Sequence, residues 1–322
     1  MKIKIAERLK PFSHLPGASC VIPWSSWKVQ AYPELLKFEN LTNGQKLGYR
    51  LDWKGPVLDF TVELDLEKGA IWVYGHTEEG YRRLCIETTN GGIAIDKKVI
   101  VPTSKLERPL ERLSLGMSKS LDWQLVRRRH EMAEILPVWF RLGQMVPASS
   151  TAKVGAAALL QECEKTEVVK HYLKIFLAGF EGILTPRLSD TDHQGIIPEG
   201  EFSESPLILL TEGAQSIRSL FFREMKDEWS FLPCLSPDFH AGRYLQLQTK
   251  AGDRIDFEWS KKSLQKVIID SKASREIFIG VPKPLTSCRL RTSLHGKGVR
   301  HSLNKPLALV PSQTFFLDRF EK

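Results

Sequence analysis

Residues 243–260, RYLQLQTKAGDRIDFEWS, decide the fold class. Apolar and polar side chains alternate on both sides of a glycine-containing break, the period of two half-buried strands joined by a turn. A turn over Ala251-Gly252-Asp253 sets Leu245, Leu247 and Thr249 opposite Trp259, Phe257 and Ile255 on one buried face. The same pattern continues outward in LQKVIID (264–270), EIFIGV (276–281), SCRLRT (287–292), PLALV (306–310) and TFFLDRF (314–320), with turn residues between. An all-β C-terminal unit is the expectation.

Residues 1–112 carry a related signature. Clusters of Gly, Asn and Asp break them at short intervals: NLTNG (40–44), LDWKG (51–55), LEKG (66–69), TEEG (77–80) and TNGG (89–92). Regular turn signals predict a sandwich-like antiparallel sheet. The middle third changes period. Leu121, Leu125, Met132, Leu136, Trp139 and Phe140 recur at helical spacing, with Pro137 expected to kink or break the helix. A second helix is predicted over about 165–184, with an apolar face of Val168, Val169, Tyr172, Leu173, Phe176 and Phe180. It should stop by Thr185-Pro186, because a residue before proline avoids the α region. A third should open on Ser205 as cap and Pro206 as its first residue. The reading is an α+β chain: an N-terminal antiparallel β-sandwich-like unit (1–112), a short helical unit (113–228) and a C-terminal antiparallel β-sandwich (229–322).

The apolar share of 42% suits a packed core rather than a disordered chain. No run approaches the ~18 apolar residues of a membrane helix. The opening MKIKIAERLKPF reads as a strand rather than a signal core, so a cytoplasmic chain is expected. Cys20, Cys85, Cys163, Cys234 and Cys288 are odd in number and form no CxxC pair, which predicts free thiols and neither a zinc site nor a disulfide framework. The formal net charge of +8 is unevenly spread. From Gly242 onward there are sixteen Lys and Arg against seven Asp and Glu, leaving thirty against thirty-one upstream. The C-terminal unit is therefore the part that would attract a polyanion or nucleic acid, unless its charges serve only as a solvated sheet face.

The segment LDFTVELDLEKGAIWVYGH (58–76) supplies the candidate site. A two-residue turn at Lys68-Gly69 pairs Asp65 with Trp72, Glu63 with Tyr74 and Thr61 with His76. Leu64, Leu66, Ile71 and Val73 then share the apolar face. The outer face would combine the rings of Trp72, Tyr74 and His76 with the carboxylates of Glu63 and Asp65. Rings stack on the apolar side of a sugar while carboxylates accept its hydroxyls, and two carboxylates can act as acid and base. The competing reading is that the rings pack against another layer.

Two further clusters stand out. DTDHQGIIPEGE (190–201) imitates a calcium loop in part, through Asp190, Asp192, Gly195 and Glu201. Gln194, Pro198 and the helix-breaking Pro186 depart from that pattern, so no metal site is assigned. With His193 and Glu199 the same loop offers groups that could line an enzyme cleft. In LHGKGVRH (294–301), His295, Lys297 and Arg300 form the candidate anion-binding turn. Arg127, Arg128 and Arg129 read as a solvated helix face balanced by Glu131 and Glu134. There is no GxxxxGK[ST], GxSxG, HExxH or strand-borne GxGxxG motif, so no cofactor is expected and no catalytic residue is assigned.

Ile255, Phe257, Trp259 and Leu264, then Arg289 and Arg291, then Phe315 and Phe316 give the last 80 or so residues a resemblance to the accessory β-sandwich of glycoside hydrolases with a helical-barrel core. The helical segment here is too short for such a barrel, so the family's catalytic acid has no counterpart. The resemblance implies a carbohydrate-associated protein that binds glycan rather than hydrolysing it. Polyanion binding through the basic C-terminal unit and a scaffold or protein-partner role are the alternatives.

Overall fold

The computed structural model of the chain describes residues 2–105, 108–117, 119–149, 152–161, 167–188, 192–194, 196 and 204–322. Antiparallel sheets dominate, with helices between the N-terminal and C-terminal strands, so the chain is α+β and β-rich. Two compact units are present. One comprises Arg8–Arg108 and Lys119–Ala214; the other comprises Met1–Glu7, Pro109–Ser118 and Gln215–Lys322.

In the first unit the Gly- and Asn-punctuated alternation becomes ten strands. They are β1 (Phe12–Ser13), β2 (Ala18–Val21), β3 (Trp27–Ala31), β4 (Leu35–Asn40), β5 (Lys46–Arg50), β6 (Leu58–Asp65), β7 (Ala70–Thr77), β8 (Gly80–Thr89), β9 (Gly92–Ile95) and β10 (Lys98–Val101). Two sheets result, a six-stranded β1-β6-β7-β8-β9-β10 and a four-stranded β2-β3-β4-β5. Burial along the central hairpin alternates in β7, whereas in β6 Thr61 and Asp65 are buried on the opposite face as well. Val62, Leu64, Ile71, Val73 and Ile86 are fully enclosed on one face.

Among the described residues four α-helices follow: α1 (Trp123–Arg129), α2 (Met132–Gly143), α3 (Val168–Gly179) and α4 (Leu207–Phe221). Asp122 caps α1 by accepting the N–H groups of Gln124 and Leu125. The expected break at Pro137 is not where the chain bends. His130, in the left-handed region at φ 55°, ends α1, whereas Pro137 sits inside α2. The second predicted helix stops at Gly179, before Thr185-Pro186, because Phe180–Glu181 turns back to pair with those two residues. At α4 the Ser205 hydroxyl accepts the Leu207 N–H and itself donates to the Leu41 carbonyl. The arginine tripeptide is not a uniformly solvated face. Arg127 donates to the Phe180 carbonyl at 3.2 Å and lies over the Phe176 ring, while Arg129 grips the buried Glu134 at 2.8 Å.

Helices α2 and α4 approach closely because two positions lack side chains. A Cβ on Gly213 would lie 2.5 Å from the Trp139 ring, and one on Gly143 would lie 2.2 Å from the Leu210 carbonyl oxygen. Trp139 uses the contact to donate its Nε1–H to the Leu209 carbonyl at 3.0 Å.

The second unit contains every strand expected from residue 243 onward. A seven-stranded sheet runs, in spatial order, through Arg112–Ser114, Gly242–Gln248, Arg254–Ser260, Ser263–Asp270, Thr314–Glu321, Ser287–Arg291 and Val299–Ser302. A four-stranded sheet holds Phe222–Glu224, Glu228–Phe231, Arg275–Gly280 and Leu307–Leu309, its middle pair parallel. Phe231 of the smaller sheet meets Phe257 of the larger at 5.2 Å, edge to face. The 243–260 register differs from expectation. Leu247 pairs with Ile255, but an irregularity before it sets Tyr244 against Phe257. Gln246 takes a φ of 60° there, which turns Tyr244 rather than Leu245 into the core. Leu245 packs instead on the other face with Ile3, Ile268 and Phe316.

Gly213→Ala tests the close helix contact. Overpacking against Trp139 is expected to cost about 1–3 kcal/mol, read as a lower urea midpoint with an unchanged m value.

Candidate functional site

The hairpin face takes its geometry from one turn. Asp65 accepts the N–H groups of Glu67 and Lys68 at 3.0 and 3.1 Å, and its own carbonyl accepts the Gly69 N–H at 2.8 Å. Gly69 closes the turn at φ +68°, a conformation glycine takes without a Cβ penalty. The loop is therefore the four residues Leu66–Gly69 rather than Lys68-Gly69. Asp65 faces Ala70, Glu63 faces Trp72 and Thr61 faces Tyr74. The register moves by two residues, so each side chain keeps its predicted face while its partner changes. A further irregularity at Asp59, with φ 53°, sets Leu58 opposite His76.

The five predicted residues do not share one environment. Asp65 is fully enclosed and carries an ion pair to Lys10 at 2.6 Å. Glu63 is half-buried and lies 3.3 Å from the same ammonium. The Asp65 hydrogen bond, opposed by burial and supported by the nearby Glu63 charge, raises the Lys10 pKa above its ordinary 10.5. Trp72 is half-buried beneath Arg83, whose guanidinium carbon sits 3.8 Å from the ring centroid. Tyr74 is half-buried and His76 is exposed.

Strand β8 brings residues that the hairpin sequence alone does not contain. Cys85, Arg83 and Tyr81 pair with Trp72, Tyr74 and His76 respectively. Tyr81 is 54% exposed and gathers its neighbours, with centroids 5.3 Å from His76 and 6.3 Å from Tyr74. On the other flank, Nδ1 of His14 lies 2.9 Å from the Thr61 hydroxyl. The signal for β8 was available: GYRRLCIETT follows the TEEG turn and alternates Tyr81, Arg83 and Cys85 on one side.

Several groups on this face keep their protons near neutrality. Burial pushes the Cys85 thiol up to about 11, so it carries no thiolate near neutrality. Burial, with Glu63 nearby, also raises the Tyr74 phenol. Lys10 stays an ammonium. The two carboxylates are not equivalent partners for acid and base work, because one is sealed into the turn.

The remaining predicted residues lie elsewhere. His295 and Lys297 are exposed in the loop between Ser287–Arg291 and Val299–Ser302. Arg300, on the edge strand, donates to the Ser287 hydroxyl at 3.1 Å and lies 3.6 Å from Glu321. Arg289 and Arg291, the arginines behind the family resemblance, both clamp Asp318 at 2.7 and 2.6 Å. The Arg289 hydrogen bond holds that carboxyl below its usual range despite burial. Of the acidic loop, Asp192 and His193 are described; Asp190, Glu199 and Glu201 lie outside the described residues. Among the described residues no group of three or more His, Cys, Asp or Glu is placed to hold a metal ion. No helix among them is long and apolar enough to cross a membrane.

No protein-family model matches the chain, and no curated protein matches it.

Lys10→Met leaves the enclosed Asp65 without its cation. A loss of about 1–3 kcal/mol is expected at pH 7 by chemical denaturation. The pH dependence follows from the raised Lys10 pKa. The wild-type advantage over the variant is full below 10.5 and fades as pH climbs through the higher folded value. An advantage that instead faded on going from pH 7 to 9 would place the stabilisation on another group.

Proposed function

We propose that the outer face of β6, β7 and β8 is a glycan-binding surface that does not hydrolyse what it binds. One observation carries the reading. The half-exposed Tyr81 ring stands among Tyr74 and His76, with the Arg83 guanidinium fixed on Trp72 beside them. Such a face presents apolar ring surface together with phenol, imidazole and guanidinium donors, the combination that suits a polyhydroxylated ring. Glu63 offers acceptor oxygens at its edge. Trp72 supports Arg83 in this reading, and Tyr81 is the exposed platform.

The binding reading is favoured over catalysis because Asp65 is enclosed and tied to Lys10. Retaining and inverting glycosidases both need two carboxyl groups facing the scissile bond. The C-terminal sheets are read within the same proposal as an accessory β-sandwich, supported by the Phe231–Phe257 contact between them.

The test is calorimetric titration with a panel of neutral oligosaccharides. One member is expected to bind with little change between about 50 and 200 mM salt, a range that strongly weakens phosphate-contact binders. Tyr81→Ala and Arg83→Ala should each weaken it about tenfold or more, a loss of about 1.4 kcal/mol. Both side chains are exposed, so unfolding midpoints should shift by no more than about 0.5 kcal/mol. Unchanged affinity in Tyr81→Ala, or no binding across the panel, would reject the surface.

A further inference from the structure

The four-stranded sheet carries a second concave surface, built independently of the hairpin face. Strand register arranges the side chains of one face in two rows, whose first members, Ser19 and Val21, are buried. One row crosses Ser19, Gln30, Lys37 and Gly48; the next crosses Val21, Lys28, Glu39 and Lys46. The first row ends on a glycine, and the missing side chain opens space beside Lys37. A cavity of about 520 Å³ lies there, floored in part by Leu35 and Leu47 and closed on one side by Glu181. A second hollow, of about 570 Å³, shares Leu35 and Lys37 and is walled by Tyr32, Glu34, Pro56 and Val57. Cavities of this size suit a small organic ligand.

The charges in the cavity are unequal. Lys28 lies 3.0 Å from Glu39 and 4.0 Å from Glu181. Glu39 also has Lys46 at 4.0 Å, and Glu181 has Arg187 at 4.0 Å. Both carboxylates are thus shared between cations. Lys37 is different. Among the described residues no carboxylate lies within ion-pair distance of it, and its ammonium is 5.3 Å from the Tyr32 ring centroid.

We infer that this cavity binds a phosphorylated polyol such as a sugar phosphate, with the phosphate at Lys37 and Lys46. Lysine binds phosphate as a point charge, whereas planar recognition of a carboxylate favours arginine. Three lysines against two carboxylates leave a net positive cavity. Glu39 and Glu181 can accept hydroxyl protons from the carbon skeleton, while Ser19 and Gln30 add neutral polar groups at the other end of the row. The preference for a polyol over an apolar body follows from these walls.

Glucose 6-phosphate and glycerol 3-phosphate are titrated calorimetrically into the full chain, with glucose and inorganic phosphate as comparison arms. At least one ester should bind about tenfold more tightly than either comparison, and weaken as salt rises. Lys37→Met should weaken it about tenfold or more. Gly48→Leu should abolish it by filling the cavity. That variant is expected to fold, because a Cβ there meets only Leu35, at 3.8 Å, and the backbone is not left-handed. Circular dichroism checks this, and Lys37→Met supplies the same test without added bulk. Arg83→Ala, on the other face, should leave ester binding unchanged and so separates this site from the glycan surface. Failure of both esters to bind at about 10 mM, far weaker than the 1 mM scale of modest affinity, would overturn the inference. So would equal binding of inorganic phosphate, equal binding of glucose in the Arg83→Ala background, retained binding in a folded Gly48→Leu, or no loss in Lys37→Met.

Discussion

Asp65 is a single enclosed carboxylate on which several parts of the first unit converge. Its side chain caps two N–H groups of the β6–β7 turn, and its carbonyl receives the glycine that closes it. Its remaining charge draws in Lys10 from the segment running into β1. That segment is then held by backbone bonds, with Leu64 donating to Pro11 and Leu66 to Leu9. A buried carboxylate is costly unless it is compensated, and here Oδ1 takes the two turn N–H groups while Oδ2 has the Lys10 ammonium at 2.6 Å. The turn thereby fixes the hairpin register, and the register fixes which rings stand beside Arg83.

Both concave or ring-bearing surfaces of this unit have the same logic. An inner face of aliphatic side chains supplies stability, which frees the outer face to carry unlike groups. Burial raises the thiols of Cys20, Cys85 and Cys288, and raises the phenol of Tyr244 well above its ordinary value. Tyr244 donates instead to Glu111, which also takes Arg218 at 2.9 Å, a closed network that braces the second unit. Raised this far, these thiols and this phenol stay protonated near neutrality.

Local alternation was legible because it reports burial directly, as Val62, Leu64, Ile71 and Val73 demonstrate. Register was less legible. Asp65 moved one turn by capping it with a side chain, and Gln246 swapped Tyr244 for Leu245 by a left-handed residue within a strand. Neither event alters the hydrophobic pattern enough to be read from it. His130 ended a helix that Pro137 seemed positioned to end, since proline's missing N–H is tolerated six residues into α2 while a left-handed residue reverses the chain. The candidate face was half legible: Trp72, Tyr74, His76 and Glu63 were found on their own hairpin, while Tyr81 and Arg83 required knowing that β8 lies next to β7. Lys28, Lys37 and Lys46 are ordinary surface lysines in sequence. Only pairing across β3, β4 and β5 puts them around Gly48.

The second unit is assembled from three separated pieces of chain, and this gives the two units different histories during synthesis. Every residue of the first unit has been made by Ala214, whereas Ile3 must wait for Ile268 and Phe316 before it has a surface to cover. At ribosomal speeds of about 5–20 residues per second, the stretch from Ala214 to Phe316 takes about 5–20 seconds. During it, Ile3 lacks the surface it packs on and the strand Arg112–Ser114 waits for its partner Gly242–Gln248. A nascent chain therefore passes through a stage in which one unit can be complete while the other still lacks most of its sheet, the stage at which a chaperone would find most to hold.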